Sequence, residues 1–304
     1  MKVGDRIESQ NEIAAMGFSL VTVLRTLRDM EADDIIYRQV GRGSFLVRLP
    51  WAETYLRIGW FYNRDTVPNG IFSNPLYSHI VAALENTVVS DGHAFVLGSF
   101  TNRKMPLELW DRLDAVILFG IAPFSTSVAL KGATSLIAAM DMIVGQDWTD
   151  SYTIDVQPAF EMMVHQLRGR PTRILYVDGM TQSEHVSDRC ARIHDFSNRV
   201  ALHEIEILAV DFDRDDEAIA ALLTKAARFR PDIVCGFLKE AWVAALANTN
   251  AQTKIYPVTA QPNTSGFAVD GHAWARVIAD RLYACLADRT LPVMVLRFPA
   301  NFVA

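Results

Sequence analysis

A chain of 304 residues, 50% apolar and 21% charged with a net charge of −6, has the length for one large domain or two to three ordinary ones and is too apolar for disorder. Its 16 Gly and 12 Pro follow no period, which excludes fibrous classes, and no apolar stretch approaches the roughly 18 to 20 residues of a membrane span. Lys2, Asp5, Arg6, Glu8 and Glu12 precede any apolar run, unlike an export signal, so a cytoplasmic location is expected.

The first fifty residues read differently from the rest. Ser9 followed by Glu12 is a capping-box spacing, and Ile13, Ala14 and Met16 supply an apolar stripe, which predicts a short helix from Ser9 to Met16 stopped by Gly17. Ser19 caps a second helix through Glu31, with Leu20, Val23, Leu24, Leu27 and Met30 at helical spacing and Thr22, Arg25 and Arg28 on the remaining face. Residues 35–39 and 44–48 are β-prone runs joined by Val40-Gly41-Arg42-Gly43, a hairpin with an arginine at its tip. Seven basic residues (Lys2, Arg6, Arg25, Arg28, Arg38, Arg42, Arg48) balance seven acidic ones (Asp5, Glu8, Glu12, Asp29, Glu31, Asp33, Asp34), so residues 51–304 carry all of the −6. Binding to DNA would need a local basic face, because attraction to phosphates requires clustered positive charge.

From Arg57 on, strands and helices alternate. Strands are predicted at residues 58–62, 94–97, 115–119 (within the longest apolar run, Ala115 to Phe124), 142–144, 173–177, 205–210, 233–236 and 255–258, with a helix from Asn74-Pro75 to about Val89 and further helices between most of the others. Continuous apolar strands alternating with helices predict an α/β fold with doubly wound parallel sheets, here two similar lobes. The expected division is 1–49 for a small N-terminal domain, 50–56 for a linker and 57–304 for a two-lobed domain.

Two helices around a Gly-containing turn and a basic-tipped hairpin outline a winged helix-turn-helix, although an ordinary αα-hairpin followed by a β-hairpin has the same outline. Residues 4–14, Gly-Asp-Arg-Ile-Glu-Ser-Gln-Asn-Glu-Ile-Ala, resemble the GntR-type winged-helix pattern G-D-x-L-P-S-x-x-E-L-A. Ser19-Leu20-Val21-Thr22-Val23 sits where that family has S-R-x-T-V, and residues 33–46 run without a gap against E-G-L-I-x-R-x-x-G-x-G-T-F-V. Leu20 and Asn11 stand where arginines are usual and Glu8 where proline is typical, so phosphate contacts should be fewer. The family's first helix should precede Gly4, so the domain is expected to be N-terminally incomplete. The resemblance implies DNA contacts from Ser9, Ser19, Thr22, Arg25, Arg38 and Arg42, hydroxyls and guanidinium forks suited to phosphates and base edges; each arginine alone could equally be a solvated surface charge.

Residues 57–304 resemble the LacI/GalR-type effector domain, a periplasmic-binding-protein-like fold. The match rests on Arg57-Ile58-Gly59-Trp60, Ser73-Asn74-Pro75-Leu76-Tyr77, Leu113-Asp114-Ala115-Val116-Ile117-Leu118 for x-D-G-I-I-L, and Arg192-Ile193-His194-Asp195-Phe196 for R-x-x-G-F. A GntR-type head on such a body is the layout of arabinose-repressor-like regulators. The resemblance implies a ligand between the lobes at the carboxyl ends of the strands. It assigns Arg192 as the ligand's arginine, with Arg189 one turn earlier as the fallback; either could instead form an ion pair with Asp188 or Asp195. Tyr62, Phe72, Asn74, Phe124, Trp148 and Phe237 are further pocket candidates, aromatics that could also be core. The family's polar anchors fall on Phe237-Leu238 and near Gln261, which weakens the case for a neutral hexose, while Arg192 with Lys239 would also admit an anion.

Catalytic signatures are lacking: no HExxH, GxSxG, GxGxxG or Walker loop is present. Residues 211–217 alternate carboxylates as calcium loops do, but Asp216 replaces the required glycine and Leu222 the closing glutamate, so this stretch is expected to cap a helix over 217–228. Cys190, Cys235 and Cys285 have no CxxC spacing and read as small buried hydrophobes. No cofactor, metal or catalytic residue is expected. The sequence therefore predicts a homodimeric, ligand-responsive repressor that binds operator DNA and a sugar, polyol or sugar acid, the apolar helices 80–89 and 277–286 supplying the dimer surface; the alternative is a stand-alone small-molecule sensor without DNA binding.

Overall fold

The computed structural model describes residues 4–39, 41–47, 55–67, 69–120, 130, 134–143, 149–167, 169–180, 184–249, 252–261 and 264–304. The chain divides into two compact units, Met1–Tyr55 and Leu56–Ala304.

In the first unit the capping box forms as its spacing requires. Ser9 N donates to Glu12 Oε2 at 2.6 Å, Glu12 N donates to Ser9 Oγ at 3.3 Å, and helix α1 runs Gln10–Ala15. Gly17 then turns with φ +102°, and Ser19 Oγ accepts from Thr22 N at 3.1 Å to start α2, Leu20–Ala32. Val23 and Leu27 of α2 bury against Ile36 of β1 (Ile36–Gln39) and Leu46 of β2 (Gly43–Leu46), an antiparallel pair in which Gln39 opposes Gly43. Residues 4–7, to which the sequence pattern assigns no element, line the other edge of β2: Gly4 N donates to Leu46 O at 2.8 Å and Ile7 N to Ser44 O at 2.9 Å. Backbone pairing of this kind leaves no side-chain periodicity to read.

Among the described residues the second unit holds two six-stranded sheets. Lobe 1 is built from β3 (Arg57–Asn63), α3 (Pro75–Ser90), β4 (Ala94–Phe100), α4 (Leu107–Trp110), β5 (Ala115–Phe119), β6 (Leu136–Met140) and β7 (Asp150–Asp155). Lobe 2 follows with α5 (Gln157–Gln166), β8 (Arg173–Gly179), α6 (Glu184–Ser197), β9 (Glu204–Val210), α7 (Asp215–Phe229), β10 (Ile233–Gly236), α8 (Glu240–Thr249), β11 (Lys254–Thr259) and β12 (Gly266–Ala268). The chain then returns to lobe 1 through α9 (Gly271–Ala287) and β13 (Val295–Pro299), and ends in lobe 2 with β14 (Asn301–Val303). The sheet orders are β13-β7-β6-β5-β3-β4, all parallel, and β14-β12-β11-β10-β8-β9, parallel except for the β12–β14 pair. The backbone therefore passes between the lobes three times, after β7, after β12 and at Ala300 between β13 and β14. Crossovers bring both sheets' carboxyl ends to one junction, where such folds hold their ligands.

The buried strand β5 and the alternating faces of β3 are as the apolar runs predict, Trp60 facing α3 and Phe61 facing Trp110. Two expectations are corrected, and one strand was not predicted. The strand placed at 142–144 lies instead at Leu136–Met140, because Asp141 takes φ +51° and ends the extended run before those apolar residues. Strand β7, with its buried Asp150, Ser151 and Thr153, has no apolar signature; Arg281 clamps Asp150 at 2.6 and 3.1 Å and Met294 N donates to it at 2.9 Å. The apolar stripes of 80–89 and 277–286 are spent inside the chain. Helices α3 and α9 pack on each other, burying Ile80, Leu84, Val88, Ile278 and Leu282, and leave only Val89 and Val277 of those stripes as exposed large hydrophobics. All three cysteines are buried, and burial pushes the Cys190 thiol up to about 12. Among the described residues no helix is long and apolar enough to cross a membrane.

Candidate functional site

Two places gather the residues singled out from the sequence. On the first unit, Arg42 occupies the exposed tip of the β1–β2 hairpin, between Gly41 at φ +77° and Gly43 at φ +116°. Its backbone N donates to Gln39 O at 3.0 Å, closing the turn. Positive φ costs glycine little, and a Cβ on Gly43 would also lie 2.7 Å from Arg6 Nε. Arg38 is exposed on β1 of the same hairpin, and Arg25 is exposed on α2 with Asp29 4.0 Å away, a solvent-screened pair. Ser9 and Ser19 are spent on helix caps, and the Ser19 and Thr22 hydroxyls lie 2.8 Å apart at the start of α2.

The second place is the junction of the two lobes. Lobe 1 brings Asp141, held in the left-handed region beyond β6, and Tyr77 from the first turn of α3, whose hydroxyl donates to the Asp141 carboxylate. Lobe 2 brings Asp178 at the end of β8 and Arg189 from α6. Arg189 donates from Nε and Nη2 to the two Asp178 oxygens at 3.0 and 2.8 Å, and from Nη1 to Asp141 Oδ1 at 3.2 Å. Tyr176 and Gly179 N complete the Asp178 shell at 2.7 Å each, and the guanidinium lies 4.3 Å from the centre of the Phe237 ring. The side chains of Asp178 and Arg189 are 0% and 7% exposed.

Burial alone would disfavour the charge on Arg189, but Asp178 and Asp141 outweigh it and hold the pKa well above its ordinary value. The Tyr77 hydroxyl is pushed far up by burial and by Asp141, so it stays a donor. His185, one turn before Arg189, is buried with no partner on Nδ1 among the described residues, and burial lowers its pKa below the ordinary 6.5 against the pull of Asp141. An unfolded chain takes up that proton near pH 6.5 while the folded one resists it. Stability contributed here is therefore complete above pH 6.5 and is lost as pH falls below it, by up to about 1.4 kcal/mol per pH unit. Urea unfolding at pH 7 and pH 5.5 measures this, and His185→Gln should flatten the difference.

Arg192 does not join this cluster. It donates from Nη2 to Asp155 at 2.9 Å and from Nε to Gln157 at 2.7 Å, beside the first passage between lobes. Arg297 of β13 likewise donates to Asp188 of α6 at 3.1 Å near the third passage. Lys239 is also engaged, with Asp215 at 2.7 Å, Phe212 O at 2.5 Å and the Trp242 ring at 5.5 Å, so the anion-admitting pair inferred for Arg192 and Lys239 is corrected: both charges are already matched by carboxylates. Asn74 caps α3 through Leu76 N at 3.1 Å. Tyr62 is half-buried with its ring 6.2 Å from Trp60, Phe72 is 72% exposed, and Gln261 is exposed. Phe124 and Trp148 lie outside the described residues. Of the sequence candidates, the structure brings together Arg189 and Phe237. Sequence reasoning missed Asp141, Asp178, Tyr77, Tyr176 and His185, although carboxylates ending the apolar runs Ala139-Met140 and Tyr176-Val177 were a usable signal.

No family model matches the chain, and no curated protein matches it. Solved structures do. A sugar-binding transcriptional regulator of the LacI family from Enterococcus faecalis superposes with a TM-score of 0.61 at 15% identity over 82% of this chain and 96% of that one. A periplasmic binding protein/LacI transcriptional regulator from Alkaliphilus metalliredigens, complexed with D-xylulofuranose, gives 0.62 at 15% over 82% and 97%. The Cra dual regulator from Pseudomonas putida, in complex with fructose 1-phosphate, gives 0.61 at 14% over 81% and 97%. The chain thus has the two-lobed α/β architecture of periplasmic-binding-protein-like domains, the fold of LacI-family regulators.

Proposed function

We propose that the protein is a ligand-responsive transcriptional repressor, acting in the cytoplasm as a homodimer, without a catalytic step. The first unit reads operator DNA through the start of α2 and the Arg38–Arg42 hairpin, and the second takes a small polyhydroxylated ligand between its lobes. The observation that carries the ligand-binding half of this reading is the meeting of the buried Asp178 of lobe 2 and the largely enclosed Asp141 of lobe 1 with one guanidinium at the strands' carboxyl ends. Carboxylates accept from hydroxyls, and two of them against one guanidinium favour a neutral sugar or polyol over a sugar acid. The D-xylulofuranose bound by one structural neighbour is of this class, and the fructose 1-phosphate bound by another shares its hydroxyls but adds an anionic phosphate. Two copies would place two hairpins on a palindromic site and multiply affinity through effective concentration.

The test is a thermal-shift screen of sugars, polyols and sugar acids, followed by a salt-dependent mobility shift on duplex from the protein's own promoter region. A ligand that raises the melting temperature and alters the mobility shift fits the repressor. Ligand binding with no DNA retardation at low salt would leave a stand-alone sensor. Arg42→Ala is expected to weaken DNA binding by about 1–3 kcal/mol with the second unit still folded, and equal affinities at moderate salt would remove the hairpin from the interface.

A further inference from the structure

Among the described residues three side-chain ion pairs tie α6 of lobe 2 to lobe 1 or to a passage between lobes, and they differ in leverage. Arg192–Asp155 and Arg297–Asp188 lie beside the first and third passages, where a rotation of the lobes moves atoms least. Asp141 lies beyond β6, one strand in from β7 and two from β13, so its contact with Arg189 is one strand farther from those pivots. The two ends of that contact are each supported without the other. Arg189 keeps both Asp178 oxygens and the Phe237 face, and Asp141 keeps the Tyr77 hydroxyl. Opening the lobes strands neither charge, because Arg189 keeps its Asp178 counter-charge and Asp141 returns to solvent, whereas making the contact closes both side chains off, to 7% and 12% exposure.

We infer that Asp141 and Arg189 form a reversible latch that closes the two lobes of this chain in the absence of any ligand. The arm, Arg189, stays with lobe 2, and the catch, Asp141, stays with lobe 1. With such a two-state element a ligand shifts the closed population only by as much as its affinities for the open and closed forms differ. Opening exposes the Asp141 carboxylate to the incoming ligand.

The latch is testable on the full chain with neither ligand nor DNA, so its failure would leave the repressor reading standing, and the reverse. Spin labels at Arg103→Cys and Asp216→Cys, both exposed and just past the carboxyl ends of edge strands β4 and β9, report the rim-to-rim distance. The three native cysteines are buried and stay unlabelled. Asp141→Asn keeps the left-handed backbone, which asparagine tolerates, and the bond from Tyr77, but removes the charge. It should shift the distance distribution to longer values and broaden it. Tyr77→Phe, which leaves the charge, should keep the short distance. A distribution for Asp141→Asn that superimposes on the parent, or equal opening by Tyr77→Phe, overturns the latch. If Asp141→Asn does not fold, Asp141→Gly suits the same φ of +51° and takes its place.

Discussion

Arg189→Ala is expected to lower the unfolding free energy by about 3–5 kcal/mol, the usual cost of removing one partner from a buried ion pair. The cost arises from what is left behind. Asp178 has no solvent exposure and, among the described residues, would keep the Tyr176 hydroxyl and Gly179 N, neither of which neutralises it. Asp141 would lose its counter-charge at the same time. In a domain of about this size each kcal/mol lowers the melting temperature by roughly 2–4 °C, so a drop on the order of 10 °C should be seen in calorimetry. A loss below about 1 kcal/mol in urea unfolding at unchanged slope would mean that water reaches Asp178 once the arginine is gone.

Gly236→Ala is expected to destabilise the same lobe by about 2–6 kcal/mol, from left-handed backbone strain and overpacking together. Gly236 has φ +113°, and a Cβ there would stand 2.2 Å from the carbonyl oxygen of Val177, a contact that only backbone movement relieves. Relief means parting β10 from β8, with loss of the 2.9 Å bond from Phe237 N to Val177 O. Phe237 would then leave the Arg189 guanidinium, so the variant should also disturb the lobe junction. Gly92→Ala is the control: φ is +83° but nothing lies within 4 Å, and only the smaller conformational cost should appear. Equal melting temperatures for the two variants would show that β10 can shift without penalty.

The helix starts at Ser9, Ser19 and Asn74 were legible because a cap is decided by residues two or three positions apart. Strands such as β5 were legible because parallel strands buried on both faces need unbroken apolar runs. From those local rules the sequence by itself determined the two-part layout, the hairpin with Arg42 at its tip and the alternation of strands and helices. It could not place β7, whose Asp150 is tolerable only because Arg281 arrives from 131 residues away, nor tell that α3 and α9 would cover each other. The resemblance put Arg192 first, and nothing in the sequence showed which of Arg189 and Arg192, one turn apart on α6 and equally polar, would be enclosed by carboxylates of both lobes. That choice belongs to the tertiary structure, because the energy of a buried charge depends on where its partners stand, and Asp178 and Asp141 reach Arg189 from different lobes, 11 and 48 residues away.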